Sequence, residues 1–110
     1  MKTIIVAGTD NTELGDTLEA AGGTVRRMGR PLTKQRLIDT GVEDADIFVL
    51  TEVREATALA LVRELTSSVR IVVYSAESIP DFASHLADVR IDPEVLDQGI
   101  IIEELLADST

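Results

Sequence analysis

The fold is decided by the stretch Thr3-Ile4-Ile5-Val6-Ala7-Gly8-Thr9-Asp10-Asn11-Thr12-Glu13-Leu14-Gly15. It opens with an unbroken apolar run, which indicates a strand buried on both faces, as in a parallel sheet covered by helices. Gly8 follows at once, where the chain must turn, and the polar residues after it can cap a helix. Leu14 and Leu18 then recur at helical spacing, and Gly22 and Gly23 end that helix. The stretch thus predicts a strand, a tight turn and a helix.

The remainder of the chain repeats this alternation of strand and helix. Strands are predicted at residues 24–28, 47–50, 71–74 and 89–91, and helices at about 33–40, 55–66, 80–86 and 95–107. Alternating strands and helices indicate βαβ units with right-handed crossovers. We therefore expect one domain over residues 1–110, with an α/β fold of the Rossmann-like or flavodoxin-like type. Its three layers would be an open parallel sheet of about five strands, in the order 2-1-3-4-5, with helices on both faces.

Several side chains have predicted places within these elements. Thr33 can cap the helix that carries Leu37, and Gly41 should close it. Phe82 and Leu86 should form the apolar face of the helix at 80–86.

The chain is strongly acidic, because 20 Asp and Glu against 10 Lys and Arg give a formal net charge of −10. Eight of the bases are Arg and two are Lys. An acidic, Lys-poor surface is typical of halophilic proteins, in which salt screens the repulsion. The alternative is an ordinary acidic protein. Nucleic-acid binding needs a basic footprint, so the composition argues against it.

Composition also bounds the site chemistry and the compartment. There is no Cys and His85 is the single His, so we expect no Cys-based or His-rich metal site. The N-terminal apolar run is four residues long, too short for a signal peptide or a membrane span. We expect a cytoplasmic protein without direct membrane insertion.

Four segments carry a family resemblance, and two of them are the helical residues 60–65 and the strand residues 69–72. Gly41-Val42-Glu43-Asp44-Ala45-Asp46, ahead of strand 47–50, and Ala87-Asp88-Val89-Arg90-Ile91-Asp92-Pro93, at the last strand, resemble motifs of the TrkA-N (RCK N-terminal) domain family. The resemblance implies a Rossmann-like domain that binds NAD(H) or an adenine nucleotide. It also implies a dimer or larger ring, with a membrane transporter, a potassium channel or another regulatory protein as the regulated partner.

The turn that binds nucleotide in that family departs from its pattern here. Gly8 matches the first glycine of the G-x-G-x-x-G motif, whereas Asp10 and Glu13 stand at the other two glycine positions. Their carboxylates would repel a phosphate at the start of the helix, so we expect nucleotide binding to be weakened. The acid that would hold the ribose is missing, since that region reads Arg26-Arg27-Met28-Gly29-Arg30.

The candidate cofactor site lies at the carboxyl end of the first strand, where open α/β sheets bind ligands. Thr51 should end the neighbouring central strand in the same crevice, and the cluster of Arg26, Arg27 and Arg30 is a candidate for a phosphate. The predicted cofactor-binding residues are Gly8, Thr9, Asp10, Asn11, Thr12, Arg26, Arg27 and Thr51. The alternatives are plain turn and capping chemistry at the glycine, and surface ion pairs for the arginines.

A magnesium site and a response-regulator phosphorylation site fit the carboxyl ends of the strands less well. Mg²⁺ would need oxygen ligands such as Asp10 with Asp46 or Glu52. A response regulator would need a phosphorylatable Asp after strand 47–50, where Thr51 stands, and a later Lys, whereas none follows Lys34. We predict no metal site and no catalytic residues.

The expected function is that of a non-enzymatic, minimal TrkA-N-like module of a halophile, which binds a nucleotide or regulates a partner. The alternatives are a structural interaction protein that has lost nucleotide binding, and a small enzyme on a Rossmann-like scaffold. Ile100, Ile101 and Ile102 span more than one face of the last helix, so one face can pack on the sheet and another on a second copy. We expect a homodimer through Ile101 and Leu105.

Overall fold

The protein forms a five-stranded parallel sheet with helices on both faces. The structure is a computed structural model that describes residues 2–8, 12–92, 94–95 and 98–106. The strands are β1 (Thr3–Ala7), β2 (Thr24–Met28), β3 (Ile47–Leu50), β4 (Arg70–Tyr74) and β5 (Val89–Ile91). Their order is β2-β1-β3-β4-β5, and every neighbouring pair is parallel. The predicted fold class and strand order are confirmed.

In the described part of the chain, five α-helices divide between the two faces of the sheet; four connect successive strands and the fifth follows the last strand. They are α1 (Thr12–Ala20), α2 (Lys34–Thr40), α3 (Ala58–Leu65), α4 (Asp81–Ser84) and α5 (Gln98–Leu106), with short 3-10 helices at Val42–Asp44 and Val53–Glu55. Helices α1 and α5 cover one face, and α2, α3 and α4 cover the other. None of the helices in the described residues has the length and apolarity that crossing a membrane requires.

The unbroken apolar runs are explained by two cores, one on each side of the sheet. Ile4 and Val6 of β1 pack against α1 and α5, whereas Ile5 and Ala7 pack on the side of α2 and α3. All four side chains are fully buried. A strand covered on both faces has no position left for a polar side chain, which is why its sequence does not alternate.

Helix α2 has the predicted caps at both ends. The Thr33 hydroxyl accepts a hydrogen bond from the Arg36 N–H at 3.3 Å. Gly41 adopts the left-handed conformation, with φ of 90°, and its N–H donates to the carbonyl groups at the end of the helix. Leu37, between these caps, is fully buried.

Three predicted details of the helices are wrong. Residues 53–55 form a 3-10 helix, so α3 begins at Ala58 instead of about residue 55. Helix α4 is a single turn that buries Ala83, and Phe82 remains 55% exposed instead of lying on the apolar face. Leu105 is fully buried against the sheet and is therefore not available to a second copy.

Candidate functional site

The turn after β1 brings Gly8 and Thr51 into direct contact. Gly8 has a φ of +139°, and a Cβ atom built there would lie 2.0 Å from Thr51 Oγ1. The Thr51 hydroxyl donates to the Ala7 carbonyl oxygen at 2.9 Å, and the Thr51 N–H donates to the same oxygen at 2.8 Å. The carboxyl ends of the two central strands are thus joined at the predicted ligand-binding crevice. Only a glycine fits at position 8, because both the backbone conformation and the space exclude a side chain.

The other predicted residues of this turn fall partly outside the described part of the chain. Thr9, Asp10 and Asn11 lie outside the described residues. Thr12 opens α1, but its side chain is likewise outside the described part. Glu13, in the first turn of α1, is exposed. Of the two carboxylates at the glycine positions of the motif, Glu13 is the described one, and it lies at the surface.

A carboxylate held by two arginines lies directly after Thr51. The Glu52 side chain is 12% exposed, Arg54 Nε lies 3.2 Å from its Oε1, and Arg30 Nε lies 3.5 Å from its Oε2. Oε2 is buried, and it accepts no hydrogen bond from any described residue. The two arginines are much more exposed than the acid, at 42% and 73% of their side chains. We call Arg30, Glu52 and Arg54 the arginine clamp.

The loop that carries Arg30 is held in place by α2. The Arg36 guanidinium donates to the Gly29 carbonyl oxygen at 3.0 Å and to the Pro31 carbonyl oxygen at 2.7 Å. Arg30 therefore extends from a fixed backbone toward Glu52. The pairing of Arg30 with Glu52 was not predictable from the sequence, since the two residues lie 22 positions apart and only the fold brings them together.

Arg26 and Arg27, predicted as phosphate ligands, contact different elements of the protein. Arg26 donates to the Thr40 carbonyl oxygen at the end of α2, at 3.0 Å. Arg27 pairs with Asp16 and Glu19 of α1, at 2.6 and 3.1 Å. Successive residues of a strand point to opposite faces of the sheet, so the two guanidinium groups are kept apart.

Asp46, one of the oxygen ligands considered for Mg²⁺, lies away from the Gly8 turn. Asp46 precedes β3 and therefore lies at the amino ends of the strands, whereas Gly8 lies at their carboxyl ends. The Asp46 Oδ2 accepts a hydrogen bond from the Thr3 N–H at 2.8 Å. Glu52 does lie at the correct edge, but two guanidinium groups surround it. Within the described ranges, no three His, Asp or Glu side chains come together in a way that could hold a metal ion.

A cavity lies at the carboxyl ends of β4 and β5, where no site was predicted from the sequence. Its volume is about 450 Å³, and the residues that line it come from the loop after β4 and from the end of β5. The polar side chains among them are Ser75, Glu77, Ser78, Arg90 and Asp92. Loop conformation shapes this cavity, and a single sequence does not reveal loop conformation.

Sequence comparison matches residues 4–105 to a family of unknown function, DUF7126. The chain belongs to this family. Among curated proteins, none matches it in sequence. Among solved structures, it is similar to a Burkholderia thailandensis E264 protein assigned to pilus assembly (CpaE), with a TM-score of 0.64 and 20% identity. The similarity covers 92% of this chain and 96% of that one. At this identity the likeness concerns the fold alone.

Proposed function

We propose that this member of DUF7126 is a non-enzymatic regulatory module that binds an anionic ligand at the carboxyl ends of β1 and β3. The ligand class that we propose is NAD(H) or an adenine nucleotide, in line with the resemblance to TrkA-N domains. The observation that carries the proposal is the arginine clamp beside the Gly8 turn. Guanidinium groups are well suited to phosphate, because they donate two parallel hydrogen bonds.

In this proposal Glu52 occupies the place of the ligand's anion. Its carboxylate lies between the two guanidinium groups, and it accepts no hydrogen bond on Oε2 from the described residues. A phosphate that approached Arg30 and Arg54 would displace this internal partner. Competition with a tethered carboxylate weakens the binding of a ligand. Weak binding also agrees with the altered glycine motif and its added acids. The module would therefore respond to a nucleotide only when the nucleotide is abundant.

The proposed setting is the cytoplasm of a halophile. The net charge of −10 supports this, because molar salt screens the repulsion between surface carboxylates. Screening would also let an anionic ligand approach an acidic protein. The regulated partner that we propose is a membrane transporter or another regulatory protein.

The test compares nucleotide affinity in wild type and in Glu52→Gln, by calorimetric titration with ATP, ADP, NAD and NADH. Glu52→Gln keeps the size of the side chain and removes the competing charge, so we expect at least one nucleotide to bind about tenfold more tightly. Glu64→Gln is the matched control, because Glu64 pairs with Lys34 on an exposed surface. Equal affinity in all three proteins, or no binding by any, would contradict the proposal.

A second candidate function is a structural interaction protein that acts as a homodimer through α5. Ile100 of that helix is 51% exposed and Val95, just before it, is 75% exposed, whereas Leu105 packs inward. The side chain of Ile101 lies outside the described residues, so the candidate contact is now Ile100. We expect Ile100→Asp to halve the molecular mass in light scattering if this candidate holds. Ile38→Asp, at a 38% exposed position on α2, is the control.

A further inference from the structure

The cavity between β4 and β5 is a separate candidate site, two strands away from the Gly8 turn. Its volume of about 450 Å³ lies within the range of small-molecule sites, roughly 300–1,000 Å³. The side chains that line it include Ser75, Glu77, Ser78, Ile79, Arg90 and Asp92. They combine one cation, two anions, two hydroxyls and an apolar floor in one small space.

Arg90 is the residue that points to a ligand. Its guanidinium forms no hydrogen bond and no ion pair with any described residue, even though Glu77 and Asp92 line the same cavity. Among the ion pairs formed between described residues, carboxylates partner the cationic side chains of Arg27, Arg30, Lys34, Arg54 and Arg63. With twice as many acids as bases in the chain, a cavity-lining guanidinium without such a partner is available to an external carboxylate. A planar guanidinium can hold that group with two parallel hydrogen bonds.

The walls of the cavity are fixed before any ligand arrives. The Ser75 N–H donates to the Ile91 carbonyl oxygen at 3.0 Å, which ties the loop after β4 to β5. The Ser75 hydroxyl accepts from the Glu77 N–H at 3.1 Å, and Asp92 Oδ1 accepts from the Glu94 N–H at 2.8 Å. Prior ordering of this kind lowers the entropic cost of binding.

The floor of the cavity is apolar and rigid. Val73 is 2% exposed, Ile79 is 8% exposed and Ile91 is 4% exposed, and all three belong to the two cores of the sheet. Arg90 is the register partner of Val73, so its side chain leaves the sheet on the face of Val73 and of the core beneath α4. A small apolar group of a ligand can therefore rest beside the guanidinium.

The charges select the class of ligand. Two carboxylates and one guanidinium leave the lining with a net charge of −1, so a phosphate ester would be repelled by Glu77 and Asp92. We infer that the cavity binds a small zwitterionic amine of the amino-acid class. Its carboxylate pairs with Arg90, its ammonium lies between Glu77 and Asp92, and its side chain rests on Ile79 near the Ser78 hydroxyl.

The test is an NMR titration of the full chain with glycine, glutamate, lysine and arginine, with acetate and ethylamine as single-charge controls. We expect at least one amino acid to shift the amide signals of residues 75–78 and 90–92. Acetate and ethylamine at the same concentration should shift them much less, because each satisfies only one of the two charges. Arg90→Gln should lower the affinity for the amino acid about tenfold or more, as expected for the loss of a charge-assisted hydrogen bond.

Arg26→Gln is the matched control, since Arg26 is also an exposed arginine on an edge strand, at the opposite side of the sheet. It should leave the affinity within about twofold of wild type. Three outcomes would overturn the inference: no shift with any amino acid, equal shifts with acetate, or an equal loss of affinity in both variants. Shifts confined to Gly8 and Thr51 would also overturn it, because they would assign the ligand to the crevice of β1 and β3.

Discussion

At Gly8, the backbone conformation and the packing both require a residue without a side chain. Its φ of +139° is strained for any side chain, and a Cβ atom would lie 2.0 Å from Thr51 Oγ1. We expect Gly8→Ala to lower the free energy of unfolding by about 3 kcal/mol or more, since strain and overpacking add. Urea denaturation measures the loss.

Gly22 provides the control for this prediction. Its φ is also positive, at +104°, but a Cβ atom there would meet nothing within 4 Å. Gly22→Ala should therefore cost only the conformational strain, about 1 kcal/mol. Thr51→Ala in the Gly8→Ala background should recover about 1 kcal/mol, because it removes the clashing oxygen. Equal losses at the two glycines would refute close contact between Gly8 and Thr51.

At the scale of elements, the two threonines that precede α2 and α3 make a matched pair. The Thr33 hydroxyl caps α2 by accepting from the Arg36 N–H, whereas Thr57 forms no such bond at the start of α3. We expect Thr33→Ala to destabilise the protein by about 1 kcal/mol. Thr57→Ala should change the stability by less than about 0.5 kcal/mol. Thermal unfolding of both variants decides it, and a larger loss at Thr57 would speak against the capping geometry.

The strands were predictable from the sequence because each central strand is buried on both faces. Such a strand must be apolar throughout, as at Ile47–Leu50. Its ends are then recognisable in the sequence, because polar residues follow the apolar run. Short helices were less predictable, since α4 is one turn long and a single buried residue, Ala83, anchors it. Periodicity needs several turns to give a signal, so the orientation of Phe82 could not be read from the pattern.

The candidate site was only partly predictable. The contact of Gly8 with Thr51 follows from strand order alone, because the ends of adjacent parallel strands meet. The separation of the Arg26 and Arg27 side chains was also predictable from the sequence, because successive residues on a strand point to opposite faces of the sheet. The arginine clamp and the Arg90 cavity depend on where loops bring distant residues, and no local pattern in the sequence carries that information.

At the scale of the whole molecule, charge sets the dependence of stability on salt. With a net charge of −10, self-repulsion destabilises the folded chain at low ionic strength. We expect the Tm to rise by about 5–10 °C between 0.1 and 2 M KCl, equivalent to about 1–2 kcal/mol. Most of the rise should come below about 1 M, where the Debye length has already fallen to about 3 Å. Calorimetric scans test this, and a flat or falling Tm would contradict it.

We propose that the carboxyl ends of β1 and β3 bind a nucleotide through the arginine clamp. The most direct measurement is the Tm of the wild type in 1 M KCl with saturating NAD, NADH, ATP or ADP. A ligand at 100 times its Kd stabilises by about 2.7 kcal/mol, which for a domain of this size is a shift of several degrees. We predict such a shift with at least one nucleotide, and its loss in the Arg30→Gln, Arg54→Gln double variant. No shift with any nucleotide, or an unchanged shift in the double variant, would contradict the claim.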